Sequence, residues 1–372
     1  MSVLVAGGLI AWIRPSDAEE DPGPAAGLTI VDARGATIVP GLVDAHSHVV
    51  LPGGPSYIAH LTDSPAKLAA TAEINGRRLF AAGVRWVRDV GSPVGVDPHD
   101  RRRRGLALGV RDRWEGRTDR PKVRAAGTWV AGPGIPYMRV GKVVSDPARL
   151  PAAAVGQLHQ GADLVKLYIQ APGGGSPWTV AQIGAAVRAV HAAGGRVAAH
   201  ATDLRAARAA VAGGVDAVEH GFRLDAALVR GMARRGTVLV TTLSVPKTWI
   251  AFGKASPAGQ YGGAQLARSE RLLRDALESA RIAHRAGVAI AAGTDFGGGG
   301  PRAGVLAGEV ELLVRAGLEP WQALGAATWR GGALLGEPDA GVIREGGPAD
   351  FILVDGDPLS HPGALWKVRG AR

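Results

Sequence analysis

One alternation runs from Leu42 to about Gly336 and restricts the folds open to this chain more than any other feature. A short run rich in β-branched residues is followed by a loop, then by an Ala/Leu/Arg-rich segment with apolar residues at helical spacing. The runs are Leu42–His48 (LVDAHSH), Val84–Val90 (VRWVRDV), Lys122–Gly127 (KVRAAG) and Asp163–Tyr168 (DLVKLY). Arg196–His200 (RVAAH), Asp216–His220 (DAVEH), Thr237–Thr242 (TVLVTT) and Val288–Asp295 (VAIAAGTD) follow. Helical stretches such as VAQIGAAVRAVHAAGG and DLRAARAAVAGG end in Gly-Gly just before the next strand, where helix stop signals belong. Eight strand–helix units in roughly 300 residues imply an α/β fold, a closed (β/α)8 barrel. An open doubly wound sheet would need a Gly-rich phosphate turn after its first strand, and none follows His48.

The two ends read differently. Residues 1–40 contain strand-like LTIVD and ATIVP, and GVIREGGPADFILVDGDPL near the C-terminus has short strands broken by Gly, Pro and Asp turns. Neither end builds a core alone. Residues 1–40 and 338–372 are therefore expected to form a small composite β-sandwich beside a barrel domain spanning 41–337. The opening MSVLVAGGLIAWIRPSD has no basic stretch before its apolar residues and lacks the length of a membrane span, so it reads as a first strand with a Gly-Gly turn. A cytoplasmic protein with no membrane partner is expected.

The 372 residues contain no cysteine, which excludes disulfides, thiolate metal sites and Cys nucleophiles. Any metal must be held by His, carboxylate or something less usual. The net charge of +10 derives partly from Arg101–Arg104, Arg111, Arg113, Arg117 and Arg120. Acidic Asp97, Asp100, Asp112, Glu115 and Asp119 are interleaved, and no aromatic platform accompanies them. This segment is expected to be a solvated helix and loop, with no nucleic-acid partner.

Four of the ten histidines fall at strand ends. His46 and His48, one residue apart, point together on a strand because i and i+2 share a face. The fifth strand ends at His200, the sixth at His220 and the eighth at Asp295, while the fourth carries Lys166. In a barrel all of these meet at the C-terminal mouth, where such enzymes keep their chemistry. Imidazole and carboxylate together make a site suited to Zn, Mn, Fe or Co. Lys166 is the odd member, since an ammonium repels a metal. A lysine alone would read as snorkelling or ion-paired. In a dry interior its pKa falls, and the neutral amine reacts with carbon dioxide to give an anionic carbamate able to bridge two metals.

The motifs PGLVDAHSH, GADLVKLY, GGRVAAHA, GGVDAVEHG and AAGTDFG, with the tail ATWRGGALLGEPDAGVIREGGPADFILVDGDPL, occur here in order. On these motifs the chain resembles the amidohydrolase superfamily, in its binuclear branch with a carbamylated lysine, nearest to prolidase-like and imidazolonepropionase-like hydrolases. The resemblance implies two divalent metals, zinc foremost. His46, His48 and Asp295 would hold the more buried one, His200 and His220 the more exposed one, and carbamylated Lys166 would bridge them. It also implies a shared hydroxide as nucleophile, with Asp295 passing its proton to the leaving nitrogen, and Lys166 and Asp295 as the catalytic pair. The substrate would be a small molecule with a C–N amide bond, a dipeptide or N-acyl amino acid. Members often assemble through their outer helices, so a homo-oligomer is expected.

Departures fall in the loops. GPGIPYMRVG, with Pro136 and Tyr137, replaces the Gly-Gly-His that relatives carry after the third strand, and Ala201, Thr202 and Asp203 follow His200 where prolidase-like members have Tyr. Tyr137, Tyr168, Trp178 and Arg139 are candidate substrate contacts. APGGGSP and DFGGGG lack nucleotide-loop spacing and read as mobile loops over the mouth. His191 and His284 sit near helix ends, where the helix dipole favours them, and receive no chemistry. Three other readings stay open: a lactone or phosphotriester hydrolase on the same metals, a mononuclear deaminase, and a non-catalytic barrel scaffold. A deaminase would want Glu at position 203, where this chain has Asp.

Overall fold

The computed structural model describes residues 1–15, 27–135, 140–171 and 173–371. Its eight central strands are β1 (Leu42–Ser47), β2 (Val84–Asp89), β3 (Lys122–Ala125), β4 (Val165–Tyr168), β5 (Val197–Ala201), β6 (Ala217–His220), β7 (Val238–Thr241) and β8 (Ile290–Ala292). All pairings among them are parallel. β1, β2 and β3 form one arc; a short strand, Trp129–Ala131, continues the path of β3 and pairs with β4, which leads on through β5, β6 and β7 to β8. Backbone bonds close the ring at both seams. Asp163 N donates to Ala125 O at 2.8 Å between β3 and β4. At the other seam Asp295 N donates to His46 O at 2.8 Å and His48 N to Phe296 O at 3.0 Å. All eight strands read from the sequence are present, and the fold is the (β/α)8 barrel. Every residue of β1 and β2 is buried, as parallel strands covered on both faces must be.

Helices follow the strands: α1 (Pro65–Ala81), α2 (Leu106–Trp114), α3 (Leu150–His159), α4 (Val180–Ala192), α5 (Leu204–Ala212) and α6 (Ala226–Arg235). After them come α7 (Ser244–Ala255), α8 (Gly263–Arg285), α9 (Leu306–Arg315), α10 (Pro320–Ala326) and α11 (Trp329–Leu335). Their starts are capped as their sequences allow. Thr179 and Gln182 make a reciprocal capping box on α4, and Asp203 and Asp225 cap α5 and α6. The Gly-Gly stops work through left-handed backbone, at Gly194 (φ 78°) and Gly214 (φ 85°). Among the described residues no helix is long and apolar enough to cross a membrane.

The chain ends form two small antiparallel sheets. Ala36–Pro40 pairs with Phe351–Asp355, which pairs with Val368–Ala371. Ser2–Ala6 and Leu9–Arg14 make a hairpin, joined to the C-terminal segment by Ile10 N donating to Gly347 O at 2.9 Å. LTIVD, expected as a strand, is not one: Leu28–Asp32 has no ladder partner, and the Asp32 carboxylate instead accepts from Arg34. The arginine run also differs from its expected solvated state. Arg101, Arg102 and Arg103 are exposed, but Arg104 and Arg120 are buried and held by Asp100 and Asp112 and by Glu73 and Asp119.

Candidate metal centre

Regular strand alternation alone does not build the mouth of this barrel. In register, Tyr168 lies beside His200 and His200 beside Glu219, so all three side chains face the interior, and Lys166 shares that face with Tyr168. His220 directly follows Glu219 and would face outward on a regular strand. Its left-handed backbone (φ 73°) turns it in, and its ring lies 4.5 Å from that of His200 and 4.8 Å from that of His46. On β1 the same problem has a different solution. Ala45 packs in the interior apolar layer with Ala217, Val240 and Ala291, yet His46 after it also reaches the interior, because the β1–β2 register shifts between Asp44 and Ser47. Asp295 is the third special case, left-handed at φ 51°. The i, i+2 argument thus brings His46 and His48 together by an irregularity it did not contain.

Hydrogen bonds fix which nitrogen of each ring is free. His46 Nδ1 donates to Glu219 at 2.7 Å and His48 Nδ1 to Gly91 O at 2.7 Å, while His220 Nδ1 lies 2.8 Å from Thr242 Oγ1. Each ring is thereby oriented with Nε2 left for another partner. The Nε2 atoms of His48 and His46 lie 3.1 and 3.5 Å from Asp295 Oδ1, at angles that make no hydrogen bond with it. Ligand atoms of His46, His48 and Asp295 all fall within 4.8 Å of one another. Among the described residues His200 and His220 join no such group of three.

Lys166 lies among them, 1 % exposed, and its Nζ has no hydrogen-bond partner among the described residues. A buried ammonium without partners is costly. Burial pushes its pKa down to about 8, against the opposing pull of Glu219. Burial also drives His46, His200 and His220 well below the ordinary histidine range, which leaves neutral rings suited to metal. Burial acts the same way on His48, but the adjacent Asp295 carboxylate outweighs it and holds this ring above its usual value.

Two unsatisfied buried atoms of opposite character, Lys166 Nζ and Asp295 Oδ1, together with orphaned Nε2 positions, are what a metal-binding cluster leaves when described without its ions. The backbone leaves room for an ion as well. A Cβ at Gly298 would stand 2.2 Å from His48 Cδ2, 2.5 Å from His48 Nε2 and 2.7 Å from Asp295 Oδ1, crowding both ligand atoms. At Gly299 it would stand 2.5 Å from Asp295 Oδ2. The donor set and that room fit a divalent cation. DFGGGG is therefore a packed wall of the site rather than the mobile loop expected. Trp249 Nε1 fastens it by donating to Gly299 O at 2.8 Å.

Of the candidate substrate contacts, Tyr168 stacks on His200 with ring centroids 3.8 Å apart. Trp178 is buried behind Pro177 and Gly132, with an indole N–H that has no partner among the described residues. Tyr137 and Arg139 lie outside the described residues. Asp203 is engaged as the cap of α5 and also accepts from Gly175 N at 3.0 Å.

Sequence reasoning missed the residues that orient the ligands. Glu219, fully buried, accepts from His46 and, at 2.5 Å, from Arg88, whose Nε donates to Ala45 O. Asp44, within β1, is pushed up to about 7 by burial and accepts from Thr294 N and Oγ1. The available signal was charge inside strands: VRWVRDV and DAVEH place Arg88 and Glu219 where a parallel barrel strand allows no solvent.

The amidohydrolase family model matches residues 37–370. The chain belongs to the amidohydrolase family. This amidohydrolase is a metal-dependent hydrolase of carbon–nitrogen bonds. A solved Xaa-Pro dipeptidase with bound methionine in its active site superposes with a TM-score of 0.81 at 26% identity, covering 98% of this chain and 91% of that one. An uncharacterized protein of Mycobacterium tuberculosis is 32% identical over 358 residues, 92% of this amidohydrolase and 85% of that relative. The ochratoxinase of Aspergillus niger is 32% identical over 165 residues, 44% of this chain and 33% of that one.

Proposed function

We propose that this amidohydrolase cleaves the amide bond of a dipeptide or N-acyl amino acid at a binuclear centre. There His46, His48 and Asp295 would hold one metal, His200 and His220 would hold the other, and a carbamylated Lys166 would serve both. The observation that carries this reading is the partnerless Lys166 Nζ, buried between a three-ligand cluster and a histidine pair that lacks an anionic third ligand. A pKa of about 8 leaves about a tenth of the amine neutral at pH 7. That fraction can attack carbon dioxide with loss of a proton, and the resulting carbamate would supply the anionic oxygens the histidine pair lacks.

A metal pair at this site supplies activated water at neutral pH and polarises the scissile carbonyl. The residues do the rest. Asp295 accepts the proton of the attacking water and returns it to the departing nitrogen, which leaves poorly as an anion. Glu219 and Arg88 keep the His46 ring in register. Tyr168 and the wall of Gly297–Gly300 shape the space in front of the carbonyl. The likeness to a Xaa-Pro dipeptidase supports the dipeptide class. The engagement of Asp203 in capping supports amide hydrolysis over deamination. In the same reading residues 41–337 are the catalytic barrel and residues 1–40 with 338–372 its companion, in a cytoplasmic homo-oligomer.

The test is metal content per chain, by plasma mass spectrometry, on protein expressed with zinc or manganese and bicarbonate. Dipeptides and N-acyl amino acids are then assayed on the loaded enzyme. Two metals per chain and turnover of an amide are expected. One metal per chain, with turnover of an amino-heterocycle, would overturn the proposal.

A further inference from the structure

The opposite face of the barrel holds a second cavity of about 560 Å3, at the N-terminal ends of β5 to β8. Its size is that of a small-molecule site. The floor is apolar, from Val215, Val238, Ile290 and Leu334. Leu334 also packs on Ala45, Ala217, Val240 and Ala291, so it closes the barrel interior from below. Three guanidiniums line the wall: Arg196, Arg235 and Arg330.

These arginines are not equally occupied. Arg196 is anchored, its Nη1 donating to the last-turn carbonyls Ala333 O (3.3 Å) and Leu334 O (3.1 Å) of α11. Arg235 and the half-buried Arg330 have no hydrogen bond or ion pair among the described residues. Asp216, the one carboxylate on the wall, is already engaged, accepting from Val197 N at 2.6 Å and His191 Nε2 at 2.9 Å. His191, set aside on its sequence as a helix-end residue, thus shares one oxygen of that carboxylate with Val197 N.

We propose that this cavity binds a small organic dianion, a phosphate monoester or a dicarboxylate. Its charged head meets Arg235 and Arg330, and its apolar body rests on Val238, Ile290 and Leu334. Guanidinium forks match both anions by paired N–H donors, and an apolar floor favours an organic ligand over an inorganic one. The site is distinct from the metal centre. Asp216 and His220 lie at opposite ends of one strand path, about 13 Å apart along it.

Calorimetric titration of the metal-loaded protein with phenyl phosphate, phthalate and neutral benzyl alcohol tests this. Saturable binding of at least one dianion is expected, with none for the alcohol. Arg235→Gln and Arg330→Gln should each weaken it by about 10-fold or more. The tighter dianion identifies the head group. Arg330→Lys, which keeps the charge and loses the fork, should bind at intermediate strength and serves if the Gln variant does not fold. Absence of saturable binding, or affinity unchanged in the variants, would overturn the proposal. So would binding lost on chelation, which would put the anion on the metals. Metal content and amide turnover are read separately, so failure here leaves the catalytic reading standing.

Discussion

Two regions of this barrel are crowded with titratable groups, and they treat them in opposite ways. On the flank built by residues 97–120, charges find partners: Arg113 with Asp97, Arg104 with Asp100 and Asp112, Arg111 with Asp112 and Asp163, Arg117 with Asp119. At the mouth, Lys166 Nζ and Asp295 Oδ1 are buried without hydrogen-bond partners. His220 and Asp295 there have backbone in the left-handed region, as does Arg101 on the flank. A buried Lys166 Nζ with no hydrogen-bond partner among the described residues costs stability, so a fold that keeps it there has a use for it. The flank contributes to stability. The mouth contributes chemistry.

That division breaks if a mouth substitution behaves like a flank one. Lys166→Ala makes the largest difference. It should drop metal content from two per chain to below one and amide turnover by about 1000-fold or more. Added acetate or propionate should restore part of both by standing in for the carbamate. Full activity in the variant would remove Lys166 from the centre.

Gly298→Ala comes next. Its methyl would crowd His48 Nε2 and Asp295 Oδ1, so the buried metal should be lost and turnover should fall by about 100-fold, with the fold intact by circular dichroism. Metal analysis showing two ions still bound would mean the loop yields. Glu219→Gln should act more mildly, weakening metal affinity by about 10–100-fold through a loosened His46 while leaving Arg88 short of its charge partner. Metal-buffered titration measures the first effect and thermal melting the second.

Asp112→Asn, on the flank, should do least: below about 1 kcal/mol of stability, with metal content and turnover unchanged. Its pH dependence has a defined sign. Burial raises the Asp112 pKa, but Arg111 and Arg104 outweigh it and hold the folded-state value below the ordinary one. Such a carboxylate stabilises the fold above its unfolded pKa of about 3.9 and loses that contribution as pH falls through the lower folded value. Asp119, depressed to about 2 by Arg117, acts in the same direction. The difference in melting temperature between wild type and Asp112→Asn should therefore be full near neutral pH and shrink below pH about 4. Chelation should lower the melting temperature of both proteins equally, since metal linkage belongs to the mouth.

The same contrast bears on how much could be read from the chain. All eight barrel strands were legible because a strand covered on both faces must be a short apolar run, and the runs stand out between Gly-Gly helix stops. The candidate ligands were legible because each lies at the end of such a run: His46, His48, His200, His220, Asp295 and, within its strand, Lys166. Not legible were the register shift that turns His46 inward beside Ala45 and the left-handed residue that turns in His220 beside Glu219. Period-two reasoning forbids both. The bond from Arg88 to Glu219 spans 131 positions: charge inside each strand marks the two residues, but nothing local marks their pairing. LTIVD was misread for the complementary reason: its alternation is that of a strand, but no neighbouring edge pairs with it.

By itself, then, the sequence determined the repeating strand–helix architecture, the absence of thiol chemistry and the set of residues gathered at one end of the barrel. These follow from local periodicity and residue type. Tertiary structure decided which ring nitrogens are free, which lysine has its pKa lowered, that glycine must stand at position 298, and that two arginines on the far face have no partner among the described residues. Each of those depends on what burial brings near a group from elsewhere in the chain. Desolvation and hydrogen-bond partnership are properties of an environment, and the environment exists only once the barrel has closed.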